Sequence, residues 1–280
     1  MSQICVARIV VKRVARLRRE SDSNSFNMII AFGGWPDAKR VATYAAEYLI
    51  DKLRAEKIGE IDSTRFYDFA VERPLVEIER GLIKSYELPQ NELYMWKSKS
   101  ETQDLAILIG AEPHINWSEY VDSIFHLLDF KKAHRLCLLG GLVDRIPHTV
   151  EPLISGVAPT QELMEEMKLH DIEPTEYTGP SGIHSFILRE SEKRGVTAFS
   201  LWGHAPEYIE NADSRTAHQL LCKTTSMLRI QVDLEDLHSE ADLLKKQLDG
   251  AMRRDQTFSQ LVHSIEVEYN ATRRKPGYIA

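Results

Sequence analysis

Short unbroken apolar runs alternate along most of this chain with segments whose apolar residues recur every three or four positions. "MIIAF", residues 28–32, is such a run and ends at Gly33-Gly34, the profile of a buried strand stopped by a turn. Behind it Val41, Tyr44, Ala45, Tyr48, Leu49 and Leu53 step by three and four, which predicts a helix with Asp37 as its N-cap. Further strands are predicted at "ELYMWKS" (92–98), "DLAILIGAEP" (104–113, continuous and therefore central), "RLCLLGG" (135–141, ending in its paired glycines) and "VTAFSLW" (196–202). The β-branched and aromatic residues around Phe66-Tyr67-Asp68-Phe69 predict another, closed by Glu72-Arg73 and Pro74. Helical spacing marks 117–130, 160–170 and 183–195, the last with Gly195 as C-cap, whereas 142–158 reads as irregular. Strands alternating with helices imply right-handed crossovers, so the expected fold is a three-layer α/β/α sandwich around a largely parallel sheet.

Two ends depart from this pattern. Residues 1–20 mix β-branched and basic side chains, as in an edge strand or an amphipathic arm making a solvated or subunit contact. From Val232 the chain becomes charged and helical, with Leu234, Leu237, Ala241, Leu244, Leu248 and Met252 forming a narrow apolar stripe. That stripe predicts one long helix, or a hairpin broken at Gly250 or "RRDQT" (253–257), capped by Asp233 and packed on the main domain or a neighbouring subunit. The expected organisation is an α/β core over 1–231, with an arm at 1–27, and a helical extension and tail over 232–280.

Composition narrows the partners. The 280 residues carry a formal net charge of -7, which argues against nucleic acid, since phosphate binding needs concentrated Lys and Arg. Cys5, Cys137 and Cys222 are widely spaced without metal-ligand patterns and read as reduced core thiols. No stretch reaches the roughly 18–20 apolar residues of a membrane span, and no secretory leader is recognisable, so a cytoplasmic protein is expected.

Ligands of open α/β sheets gather at the strand carboxyl ends. The loops predicted there are "GGWPDA", "GAEPHINW", "GGLVDRIPHT" and "GHAPEY", joined by "EYTGPSG". Their candidate pocket residues are Gly34, Trp35, Asp37, Glu112, Trp117, Gly141, His148, Thr149, Tyr177, Gly179, Ser181, Trp202 and His204, with Arg73 added from the Glu72-Arg73 dyad; His114, Asp144 and Glu207 accompany them. "GGWPDA" lacks the GxxxxGK and GxGxxG signatures, Pro36 removes an N–H donor, and Asp37 would repel an anion, so a structural turn is the expected role. "EYTGPSG" could bind an anion at a helix start, or Ser181 could simply cap that helix. His148, Asp144 and Glu112 form a conceivable acid–base set. GxSxG and HExxH are absent, no metal site is expected, and no catalytic residue can be named.

Read together, "GWPDA", "FYDFAVERPLV", "DLAILIGAEPHINW", "LLGGLVDRIPHT", "EPTEYTGPSGI", "SLWGHAPEYI" and the tail after "IQVDLEDL" resemble the prokaryotic relatives of the second proteasome assembly chaperone, proteins associated with ATP-grasp enzymes. The resemblance spans about residues 28–270. It implies a core similar to phosphorylase and nucleoside-hydrolase folds, a helical extension and a homo-oligomer, a trimer, and it brings neither a cofactor nor a reaction. Some archaeal members act on the proteasome core through a C-terminal hydrophobic–tyrosine–any tail. Here "PGYIA" places Tyr278 one residue too early for that tail. The expected function is therefore an assembly or binding protein; the alternative is a nucleoside or carboxylate hydrolase or ligase using the loop pocket.

Overall fold

Strand β1 (Phe26–Gly33) divides its side chains between two layers, Met28, Ile30 and Phe32 to one and Ile29 and Ala31 to the other, all fully buried. This follows from the period-two geometry of a strand covered on both faces. The computed structural model describes residues 25–98, 103–127 and 132–273; the basic arm, Cys5 and Tyr278 lie outside them. One layer holds α1 (Val41–Leu53), α3 (Gln161–Leu169) and α5 (Ser214–Leu228), whose Ala45, Leu49, Met167, Leu220 and Leu221 meet Ile29 and Leu139. The other holds α2 (Trp117–Leu127) and α4 (Ile183–Lys193), whose Tyr120, Ile124 and Ile187 meet Ile30, Phe32 and Leu138.

The remaining strands are β2 (Glu56–Ile61), β3 (Leu75–Glu79), β4 (Leu82–Glu87), β5 (Asn91–Trp96), β6 (Asp104–Ala111), β7 (Ala133–Asp144), β8 (Ile154–Val157), β9 (Glu173–Pro174) and β10 (Ala198–Pro206). They order as β2-β5-β6-β1-β7-β10-β8-β9 in the main sheet, with β3-β4 as a separate ribbon. The four central strands β6, β1, β7 and β10 are parallel, and antiparallel pairs β5–β6 and β10–β8 flank them. The main sheet is thus mostly parallel with helices on both sides, as the alternating pattern predicts.

Several elements depart from the expectation for physical reasons. Strand β7 does not stop at Gly140-Gly141 but runs through to Asp144. A Cβ on Gly140 would lie 2.5 Å from the Trp202 ring, and one on Gly141 would lie 2.8 Å from the Ala38 carbonyl. These glycines serve close approach within a strand, not a turn. Phe66–Phe69 is a turn rather than a strand: Phe66 and Tyr67 are buried, but the Phe66 carbonyl accepts from the His114 and Ile115 N–H groups of a loop. The β3–β4 ribbon after Pro74 turns at Arg80-Gly81, both at positive φ as a tight hairpin requires. β8 lies in the stretch that reads as irregular, and α5 in one to which periodicity assigned no element. The C-cap residue of α4 is Arg194, and Gly195 follows it at φ +68°, the left-handed glycine that ends the helix.

The tail forms two helices, α6 (Glu235–Arg254) and α7 (Gln256–Arg273), broken at Asp255 within "RRDQT" and not at Gly250. Asp255 caps α7 by accepting from Thr257 and Phe258 N–H. The N-cap residue of α6 is Leu234 and not Asp233, which lies one position earlier and accepts from Glu235 N–H at 3.0 Å. The apolar stripe packs in part on this chain: Leu237 and Ala241 are buried and Leu234, Leu244, Leu248 and Met252 half-buried, while on α7 Val262 and Ile265 are fully buried. Tyr44, Tyr48 and Lys52 of α1 clasp Glu240 and Asp236 of α6. Among the described residues no helix is long and apolar enough to cross a membrane.

Candidate functional site

The carboxyl ends of β1, β6, β7 and β10 converge, and each contributes a polar side chain with a defined partner. After β1, Gly34 turns at φ +101° and the Gly141 N–H donates to Pro36 O at 2.7 Å, which ties the loop to β7. Lys39 and Arg40 follow in the left-handed region (φ 53° and 54°), an unfavourable conformation for non-glycine residues held by the surrounding bonds. Asp37 is not the adjoining N-cap residue. Across this bend its Oδ1 instead accepts from Ala42 N–H (2.7 Å) and Thr43 N–H (3.1 Å), and its Oδ2 from the Thr43 hydroxyl (2.5 Å). It therefore satisfies the free donors of α1 from a distance. Burial raises its pKa above the ordinary value, against the pull of those hydrogen bonds.

Glu112, after β6, performs the same service for α4. Its Oε1 accepts from Ile183 N–H at 2.8 Å, and burial raises its pKa although that bond opposes the shift. A carboxylate thus occupies the helix start where "EYTGPSG" could have bound an anion. The N-cap residue is Gly182, not Ser181, whose hydroxyl donates to Gly182 O. A Cβ on Gly182 would crowd Trp35 and Glu112 at 3.0–3.1 Å. Trp35, 62 % exposed, meets Trp202 edge-on with centroids 6.4 Å apart. Trp202 in turn lies 4.9 Å from the buried His184, whose pKa burial lowers to about 3.

His204 forms a second group. Its Nδ1 lies 2.8 Å from Asp144 Oδ2, and its Nε2 lies 2.8 Å from Ser155 Oγ. The hydrogen bond from His204 is the main cause of a lowered Asp144 pKa. His148 and Thr149 form a third group, beneath the tail. Tyr208 Oη accepts from His148 N–H and bonds Nδ1 at 2.7 Å; Phe258 stacks on the imidazole; Nε2 faces Asp249 at 3.4 Å; Thr149 donates to Glu266. Burial lowers the His148 pKa, against the attraction of Asp249.

The acid–base set of His148, Asp144 and Glu112 is therefore not assembled: each serves a different partner. Trp117 donates to Pro113 O and packs on Phe186. Tyr177 donates to Pro180 O and leaves no room for a Cβ on Gly179, which makes a self-contained turn of that loop. Arg73 is exposed near the start of β3, without a hydrogen bond to the other candidates among the described residues. His114 accepts from Asp68 N–H through Nδ1. Sequence reasoning missed Ser155, Thr175, His184 and Tyr208. The strand that carries Ser155 is only four residues long, and periodicity has little purchase on so short a run. Among the described residues no group of His, Cys, Asp and Glu could hold a metal ion; Cys137 and Cys222 are free thiols.

The sequence model described as the PAC2 family matches residues 31–252. Among solved structures, a PAC2 family protein from Streptomyces avermitilis is 28 % identical, with 80 % of this chain and 94 % of that one covered and a TM-score of 0.72. A proteasome-assembly chaperone homologue from Mycobacterium tuberculosis is 24 % identical over 85 % and 100 % of the two chains, with a TM-score of 0.77. An archaeal proteasome activator from Pyrococcus furiosus is 23 % identical over 87 % and 98 %, with a TM-score of 0.65. No curated protein matches the chain.

Proposed function

Because the chain belongs to the PAC2 family, we propose that it is a homo-oligomeric assembly or binding protein of the proteasome-assembly-chaperone type, working in the cytoplasm on a proteasome-related partner. The named roles of the Mycobacterium tuberculosis and Pyrococcus furiosus relatives support the partner class. An association with ATP-grasp proteins belongs to the same proposal.

The observation that carries the oligomer is the β3–β4 ribbon. Its register pairs Ile78 with Ile83 and Val76 with Tyr86, so these four share one face, and they are 49–68 % exposed. A lone two-stranded ribbon is marginal in water, and contiguous apolar surface of this kind marks an interaction site. The ribbon also carries charges of both signs, Glu77, Glu79 and Glu87 against Arg80 and Lys84, so its net charge is only -1 and the repulsion between copies meeting there is small. We assign a second copy of this chain to that face, with a trimer as the assembly. The tail's apolar stripe already buries Leu237 and Ala241 on this chain, whereas the ribbon's four apolar side chains are all exposed, which makes the ribbon the better contact.

Light scattering coupled to size exclusion tests this directly. Wild type should run as an oligomer and the Ile78→Glu/Ile83→Lys variant as a folded monomer; a monomeric wild type, or an unchanged variant, overturns the assignment. Affinity purification of the tagged chain from its source organism should retain proteasome subunits, and their absence overturns the partner.

A further inference from the structure

Three adjacent strands place Asp144, His204 and Ser155 in one row. In the β10–β8 ladder Ser155 stands opposite Trp202, so His204, two residues further along, projects from the same face. In the β10–β7 ladder His204 pairs with Leu142, two residues before Asp144. Both histidine–partner distances are 2.8 Å.

The surrounding donors fix the direction of each proton. Asp144 Oδ1 accepts from Arg145 N–H at 2.7 Å, which orients the carboxylate and leaves Oδ2 for the imidazole. His204 then carries its proton on Nδ1, and Nε2 is free to accept. Thr175 donates to Ser155 Oγ at 3.1 Å, so the serine's own proton points to His204 Nε2. That is the order of nucleophile, base and orienting acid used in acyl transfer.

We propose that Ser155 is the nucleophile of an ester hydrolase site in which His204 is the general base and Asp144 its orienting acid. Ser155 Oγ attacks the ester carbonyl carbon as His204 Nε2 takes the hydroxyl proton. The tetrahedral adduct collapses to an acyl-serine, and the leaving alkoxide takes that proton from Nε2. Water attacks the acyl-serine as Nε2 accepts one of its protons; the serine oxygen leaves, regains that proton, and a carboxylic acid departs. Trp202, on the same face beside Ser155, and Trp35 against its edge form an apolar bed suited to an aromatic or short-chain ester. Ser155 is 4 % exposed, and the Thr175 hydroxyl bonded to it must swing aside for substrate to enter.

A fluorophosphonate probe followed by peptide mass spectrometry tests the assignment. Wild type should be labelled at Ser155, and Ser155→Ala should not be labelled. His204→Ala should label about 10²–10⁴-fold more slowly, and Asp144→Asn should also be slowed. Thr175→Ala should label faster than wild type. Near-UV circular dichroism confirms that each variant is folded. No label on wild type, label on a different serine, or folded His204→Ala reacting at the wild-type rate each overturns the proposal. The readout is independent of oligomeric state and of proteasome subunits, so its failure is distinct from failure of the assembly role.

Discussion

Replacing Asp37 separates two physical roles that one carboxylate combines. It accepts two backbone N–H groups of α1 and the Thr43 hydroxyl, all part-buried. In Asp37→Ala the lost helix cap is worth about 0.5–2 kcal/mol, and the abandoned hydroxyl about 1 kcal/mol more. We expect a loss of about 1.5–3 kcal/mol by these two terms, or roughly 3–12 °C in Tm for a chain of this size. Asp37→Asn should behave differently. Its Oδ1 keeps both N–H bonds, its Nδ2 can donate to the Thr43 hydroxyl, and no charge has to be desolvated, so the change should stay within about 1 kcal/mol. The pH dependence follows with a definite sign. A carboxyl whose folded pKa is raised contributes stability that is fully present below its ordinary value of 3.8 and is lost as pH rises through the folded value. Wild type should therefore lose stability relative to Asp37→Asn as pH rises from about 4. Urea unfolding of the three proteins between pH 4 and pH 7 measures both effects. If Asp37→Asn is destabilised as much as Asp37→Ala, the charge and not the acceptor geometry matters, and the reasoning is wrong.

Two other groups give checks of the same kind. Burial holds His184 neutral with a pKa of about 3, so its contribution to stability is full above the ordinary 6.5 and is lost as pH falls toward 3. Urea midpoints should fall across that range in wild type more than in His184→Phe, and a histidine resonance assigned to residue 184 that titrates near 6.5 would refute this. Phe258→Ala removes the ring stacked on His148 and set edge-on to Tyr208; being half-buried, it should cost about 2 kcal/mol, less than a fully buried phenylalanine. The pKa of His148 should rise toward 6.5 in that variant as water reaches the ring, and an NMR titration unchanged from wild type would contradict the burial argument.

The sheet and most of its helices can be read from periodicity because burial on two faces demands continuous apolar strands, as in "MIIAF" and "DLAILIG", and amphipathic helices demand steps of three and four. Motifs carried the family in the same way, since loops such as "GWPDA" and "GPSG" keep their turn residues close together in sequence. Where reading failed, the cause lay in distant atoms. Gly140 and Gly141 look like the end of a strand, yet they make room for Trp202 and the 36–41 loop. Phe66 and Tyr67 look like a strand because their side chains are buried, yet their backbone turns to serve a loop.

The sequence alone determined the α/β class, the helical tail and the membership that its clustered motifs express. Only tertiary structure decided which polar side chains meet. It sent Glu112 to Ile183, 71 residues away, set Ser155 against His204 across 49, and kept His148 apart from both. Hydrophobic patterning specifies which face of an element is buried, but strand order and register specify what lies opposite, and that is set by the packing of the whole sheet.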